Sequence, residues 1–249
     1  MKKEWLEALR SYRLLVLAIG LLSFALLNPL ILKLMPAILE SQGMGTDLAN
    51  LMDMSQREAI RSYLDSLYQI GSLVAVLSLM GVISGEFNKG TWVLPLTFGV
   101  NVKDIYWAKL SISGGILFFF SLTGSLIAHL YGAALFGKDF ASLYPTLKAG
   151  GLYGLYFSFV ASLVLMASSF LKKPSAAAFA SLAFLFLLPP LAGWLDITKW
   201  LPFVLLSEAG TLSPLPSKTV LQGILITFGW MAVFSFATLG RLETMEKAR

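Results

Sequence analysis

The chain has 249 residues, of which 57% are hydrophobic and 13% charged, with a net charge of +5 and a mean hydropathy of +0.75. A soluble domain carries about 25% charged residues, so this composition excludes a soluble enzyme and points to a membrane protein. Cysteine is absent, which removes disulfide frameworks, thiolate nucleophiles and Cys-built zinc sites. The basic surplus is informative through its position along the chain rather than as a nucleic-acid signature.

The N-terminal "KKEWLEALRSYR" places Trp5, Ala8, Leu9 and Tyr12 on one helical face and Lys3, Glu7, Arg10 and Ser11 on the other. With Arg13 following, this is the pattern of an interfacial amphipathic helix whose basic residues suit anionic headgroups. The apolar run that follows, Leu14 to Leu32, is longer than a secretory h-region and lacks a small-x-small cleavage site, so it reads as a retained first span. Asn28-Pro29 is expected to kink it, because proline removes a helical hydrogen bond.

Residues 37–66 form an outer loop. Within it Ser55-Gln56-Arg57-Glu58 has capping-box spacing, and Ile60, Tyr63, Leu64 and Leu67 follow at helical intervals. The second helix therefore starts before its apolar part, Leu67 to Ser84. Further spans are expected at Leu110 to Phe136, Gly150 to Leu171, Ala176 to Leu195 and Val220 to Leu239, each long enough to cross about 30 Å of hydrocarbon. Between the last two, the proline-marked stretch around Trp200 to Leu206 is too short to cross and return, and reads as an interfacial or re-entrant segment.

Six spans place both termini on one side. That side receives Lys2, Lys3, Arg10, Arg13, Lys89, Lys103, Lys109, Lys172, Lys173, Arg241, Lys247 and Arg249, twelve of the nineteen basic residues, against six of the fourteen acids. By the positive-inside rule it is the cytoplasmic side. The fold class is thus an all-α polytopic membrane protein, one domain over residues 1–249, in the cell membrane. Glycine pairs at four-residue spacing, Gly81 with Gly85 and Gly150 with Gly154, favour close helix packing.

The stretch "GEFNKGTWVLPLT" approximates a phosphate loop, but Thr91 stands where that loop needs lysine, and it follows a membrane helix rather than a strand. Nucleotide binding by this chain is therefore not expected. An intramembrane serine protease needs a histidine base; the single histidine, His129, lies in the third span, and "SISGG" lacks a Gly-x-Ser-Gly pattern. His129 reads as a structural or interfacial group, with a pathway-lining role as the functional alternative. No in-span carboxylate pair exists to bind a coupling cation.

Residues 85–109 read "GEFNKGTWVLPLTFGVNVKDIYWAK". Glu86, Gly90, Thr91, Leu94, Asp104, Ile105 and Lys109 resemble the signature loop of type-2 ABC exporter permeases, six-span subunits that pair with a separate ATPase. Two departures are Gly99, where that family often has proline, and Val102 with Lys103 in place of an earlier basic residue. The resemblance implies a cytoplasmic coupling helix between the second and third spans, with Val102, Ile105 and Tyr106 as its apolar, partner-facing side. It further implies Glu86 bracing the loop near the basic residues of the N-terminal helix and Lys109 at the start of the third span. It implies two copies of an ABC ATPase holding ATP and magnesium, no cofactor or catalytic residue in this chain, and a homodimer or a heterodimer with a related permease in the lipid membrane. Export of an unidentified substrate is the expected output, with a non-transporting mechanotransmitter as the alternative.

Overall fold

The computed structural model describes residues 12–41, 54–88, 99–137, 142–195, 197–213 and 218–247. Among these the backbone is helical, without strands, and six helices are long and apolar enough to cross a membrane: Arg13–Leu39, Gln56–Glu86, Val102–Phe136, Tyr144–Phe170, Pro174–Trp194 and Lys218–Thr244. The chain is a multi-pass membrane protein. Each helix contains or overlaps one of the apolar runs and extends past most of them, because apolarity marks the hydrocarbon crossing whereas capping marks the helix.

Helix α1 (Arg13–Ser41) stays helical through Pro29 and Pro36. Beside the first proline, Asn28 Nδ2 donates to Ser62 O at 3.0 Å and to Ser66 Oγ at 2.8 Å, pinning α1 to α2 (Gln56–Ser66). The start of α2 follows the capping prediction: Ser55 Oγ accepts from the backbone N–H of Glu58, and Ile60, Tyr63, Leu64 and Leu67 are all buried. A π turn over Leu67–Gly71 leads into α3 (Ser72–Leu79). After a non-helical turn at 80–83, a short α4 (Ser84–Asn88) completes the second span.

Helix α5 (Val102–Phe136) is the longest, and α6 (Tyr144–Phe170) is the axis of the bundle. Most of α6 is buried, and it packs against α3, α5, α7 (Pro174–Trp194), α8 (Val204–Gly210) and α9 (Lys218–Lys247). Its small residues allow this. A Cβ placed on Gly150 would lie 2.6 Å from Ser125 Oγ, and one on Gly154 2.5 Å from Phe118 Cδ2, so that spacing serves the α5–α6 seam within one chain. At Gly81 and Gly85 an added Cβ would meet nothing within 4 Å among the described residues, so the same spacing there makes no packing seam among them.

Between α7 and α9 the chain forms a 3₁₀ turn, Thr198–Trp200, and then α8, whose Leu205 and Ala209 are buried. The carbonyls at the C-terminal end of α8 form the negative pole of its dipole and lack partners within the helix. Arg61 Nε donates to Gly210 O at 3.1 Å, Arg57 Nη2 to Thr211 O at 2.7 Å and Lys148 Nζ to Ser213 O at 3.2 Å. Cations from α2 and α6 thus fasten this segment to the end of the bundle at which α2 and α6 begin.

Candidate functional site at the ends of the second and third spans

The turn at 80–83 exposes backbone groups inside the bundle, where each unsatisfied one costs several kcal/mol in a lipid setting. Ser168 of α6 supplies partners. Its Oγ accepts from Ser84 N at 2.9 Å and donates to Met80 O at 2.9 Å, and Ser84 Oγ lies 3.1 Å away. One hydroxyl on the central helix thus bridges the donor and the acceptor of a single missing i→i−4 bond, and this break directs α4 and its Glu86.

On the other side of the segment 89–98, which lies outside the described residues, Asn101 caps α5 by accepting from Lys103 N at 3.0 Å. Asp104 sits in the first turn, favourably placed on the helix dipole. Two turns in, Lys109 carries its ammonium to Glu86: Nζ and Oε1 are 2.6 Å apart, with the lysine side chain 1% and the carboxylate side chain 14% exposed. Arg13 and Leu17 of α1 and Leu79 and Val82 of the second span line the same small pocket as Lys109. The expected pairing of Glu86 with basic residues further upstream in the N-terminal helix involves residues outside the described ones. What the structure establishes is a Glu86–Lys109 bond that ties the end of the second span to the start of the third.

The face formed by Val102, Ile105 and Tyr106 requires a correction. The three do share a face, but it points into the bundle: Val102 and Tyr106 are buried and Ile105 is half-buried against the core. Helical periodicity identifies residues that lie together without saying what covers them, and here the cover is α9. Tyr106 Oη donates to Ser235 Oγ at 2.8 Å, and Lys103 Nζ meets Glu243 Oε1 at 3.0 Å. Residues 102–109 are also the first two turns of α5 itself rather than a separate coupling helix. The surface left open at this corner is Val100, Asn101, Asp104 and Trp107, with Trp107 49% exposed and its ring edge-on to Tyr106. Sequence reasoning passed over Trp107 and Ser168; an aromatic residue one position off the apolar face was the available signal for the first, and none existed for the second.

Of the other predicted positions, Trp5, Leu9, Arg10, Gly90, Thr91 and Leu94 lie outside the described residues. Tyr12 is exposed, with a left-handed backbone (φ 55), immediately before α1 begins at Arg13. His129 is buried at the opposite end of the bundle: its Nδ1 is 3.1 Å from Thr146 Oγ1, and its backbone carbonyl accepts from Gln56 Nε2 at 2.9 Å. It joins α2, α5 and α6 and has no part in the Glu86–Lys109 corner. Among the described residues no group of three His, Asp or Glu side chains is placed to hold a metal ion.

The chain is similar to an uncharacterised transmembrane protein, YxlG, of Bacillus subtilis strain 168, at 28% identity over 245 residues, covering 94% of this chain and 89% of that one. No family model matches the sequence. No solved structure matches it.

Proposed function

We propose that this chain is the membrane subunit of an ABC-type exporter, driven by a separate ATPase that binds ATP and magnesium. The observation that carries this reading is the buried Glu86–Lys109 bond at the two positions where the sequence resembles the permease signature loop. A bond there joins the two ends of the intervening segment, so a push on that segment is delivered to the second and third spans rather than absorbed by the loop. The Tyr106–Ser235 and Lys103–Glu243 contacts pass the displacement to α9, while the turn at 80–83 supplies a joint at which α3 and α4 change angle. Two such subunits enclose a pathway, and ATP binding favours one of its two facing states. The chain itself performs no hydrolysis in this scheme.

Charge exchange tests the scheme. Glu86→Lys and Lys109→Glu each place like charges at 2.6 Å spacing and should abolish ATP-dependent export by the assembled complex; the double exchange restores the pair and should recover it. Equal activity in all four proteins would overturn the role given to this bond. ATPase stimulation without substrate movement in proteoliposomes would favour the mechanotransmitter reading over transport.

A further inference from the structure

A groove of about 780 Å³ opens between α6 and α9, floored by Phe118 of α5. Its volume lies in the usual range for small-molecule sites, about 300–1,000 Å³, and it faces away from the α4–α5 corner. Apolar residues line its length, among them Leu152 and Leu155 of α6 and Leu221 and Phe228 of α9. The two charged exceptions are Lys148 and Lys218, and both stand at one end, beside Tyr144. That end is the outer one, since α6 and α9 both begin there and Lys148 reaches the end of α8.

Dimensions and charge together select an occupant. From Lys218 to Phe228 the α9 wall runs about 15 Å at 1.5 Å per residue, matching the roughly 15 Å of hydrocarbon in one leaflet. A channel one leaflet deep, apolar below and twice cationic at headgroup level, complements a lipid with a negative head. Lys148 donates to Ser213 O and stands with Lys218 in the groove lining. A further feature opens the wall: a Cβ on Gly151 would meet nothing within 4 Å, so the missing side chain leaves space on the groove side rather than admitting a neighbouring helix. We propose that this groove binds one anionic phospholipid of the outer leaflet, its phosphate between Lys148 and Lys218 and an acyl chain along Gly151, Leu155 and Phe228. The site is independent of whether an ATPase partners the chain.

The test uses the full chain purified in mild detergent and equilibrated with equal amounts of phosphatidylglycerol and phosphatidylcholine, with retained lipid counted by native mass spectrometry. Each lysine near a headgroup is worth about a factor of five, so phosphatidylglycerol should be retained at least tenfold over phosphatidylcholine. Lys148→Gln with Lys218→Gln should erase the preference, Lys148→Arg with Lys218→Arg should keep it, and Gly151→Leu should fill the groove and lower retention of both lipids without unfolding the chain. Equal retention of the two lipids by the unaltered protein, or a preference that survives the double glutamine variant, would overturn the proposal. Because the chain has no cysteine, Leu221→Cys gives a clean cross-linking reporter in bilayers. Efficient disulfide dimers through Cys at that position would overturn the proposal by showing a second copy on this face, and their absence supports a lipid-filled groove.

Discussion

At the scale of single residues, Glu86 and Lys109 set the strongest constraint. Burying a charge is costly unless it is paired, and removing one partner of a buried pair destabilises by about 3–5 kcal/mol because the other is left uncompensated. Lys109→Met should therefore lower thermal stability in detergent markedly. Lys109→Met combined with Glu86→Leu should recover much of that loss, as apolar replacement of both partners is often neutral. Additive losses in the double variant would mean the two side chains do not act as a pair. Ser168 offers a second test at this scale. Alanine there takes the acceptor from Ser84 N–H, whereas Met80 O keeps the bond from Ser84 Oγ; the orphaned donor costs about 1–3 kcal/mol, and hydrogen exchange around residues 80–86 should accelerate while the distant α2 amides are unchanged. Uniform acceleration would instead indicate global destabilisation.

At the scale of elements, identical glycine spacing does different things in different places. Gly150→Ala drives a methyl group against Ser125 Oγ at 2.6 Å and should destabilise by about 1–3 kcal/mol through overpacking. Gly81→Ala meets open space and should be neutral to slightly stabilising, by at most about 1 kcal/mol, since alanine also restricts the unfolded chain. A reversed order in unfolding assays would contradict the α5–α6 seam. The start of α2 was fully legible in the sequence: Ser55 and Glu58 carried the cap, and the spacing of Ile60, Tyr63, Leu64 and Leu67 carried the buried face. The start of α5 was only half legible. Val102, Ile105 and Tyr106 were correctly grouped, but nothing local announces that Ser235, more than a hundred residues later, accepts from the tyrosine. The break at 80–83 was hidden for a related reason. The apolar run continues through Met80, Val82 and Ile83, and the hydroxyl that makes a break tolerable sits on another helix.

At the scale of the whole molecule, six apolar crossings and the placement of basic residues set the architecture. The span count could be read directly, because each crossing needs about 20 apolar residues and little else competes for such a run. The central position of α6 could not, since its apolarity is no greater than that of its neighbours and only its Gly, Ala and Ser positions distinguish it. Sidedness gives a direct prediction in this cysteine-free chain. A single cysteine at Lys172 should react with a membrane-impermeant thiol reagent only from the cytoplasmic side, and one at Thr211, beside the end of α8, only from the opposite side. The reverse labelling would invert the topology and move the Glu86–Lys109 corner away from any cytoplasmic ATPase.

The central claim is the proposal that this corner receives a partner, and Asp104 and Trp107 are exposed there. Trp107→Asp and Asp104→Lys alter that surface while leaving the buried Val102 and Tyr106 in place. The most direct measurement is affinity purification of the tagged chain from its native membranes in mild detergent, with the recovered proteins identified and assayed for ATP hydrolysis. The account predicts an ATP-hydrolysing subunit in amounts equal to this chain, lost on purification of the Asp104→Lys/Trp107→Asp variant although that variant remains folded and membrane-inserted. Recovery of the chain without any ATP-hydrolysing subunit, or undiminished recovery with the double variant, would contradict it.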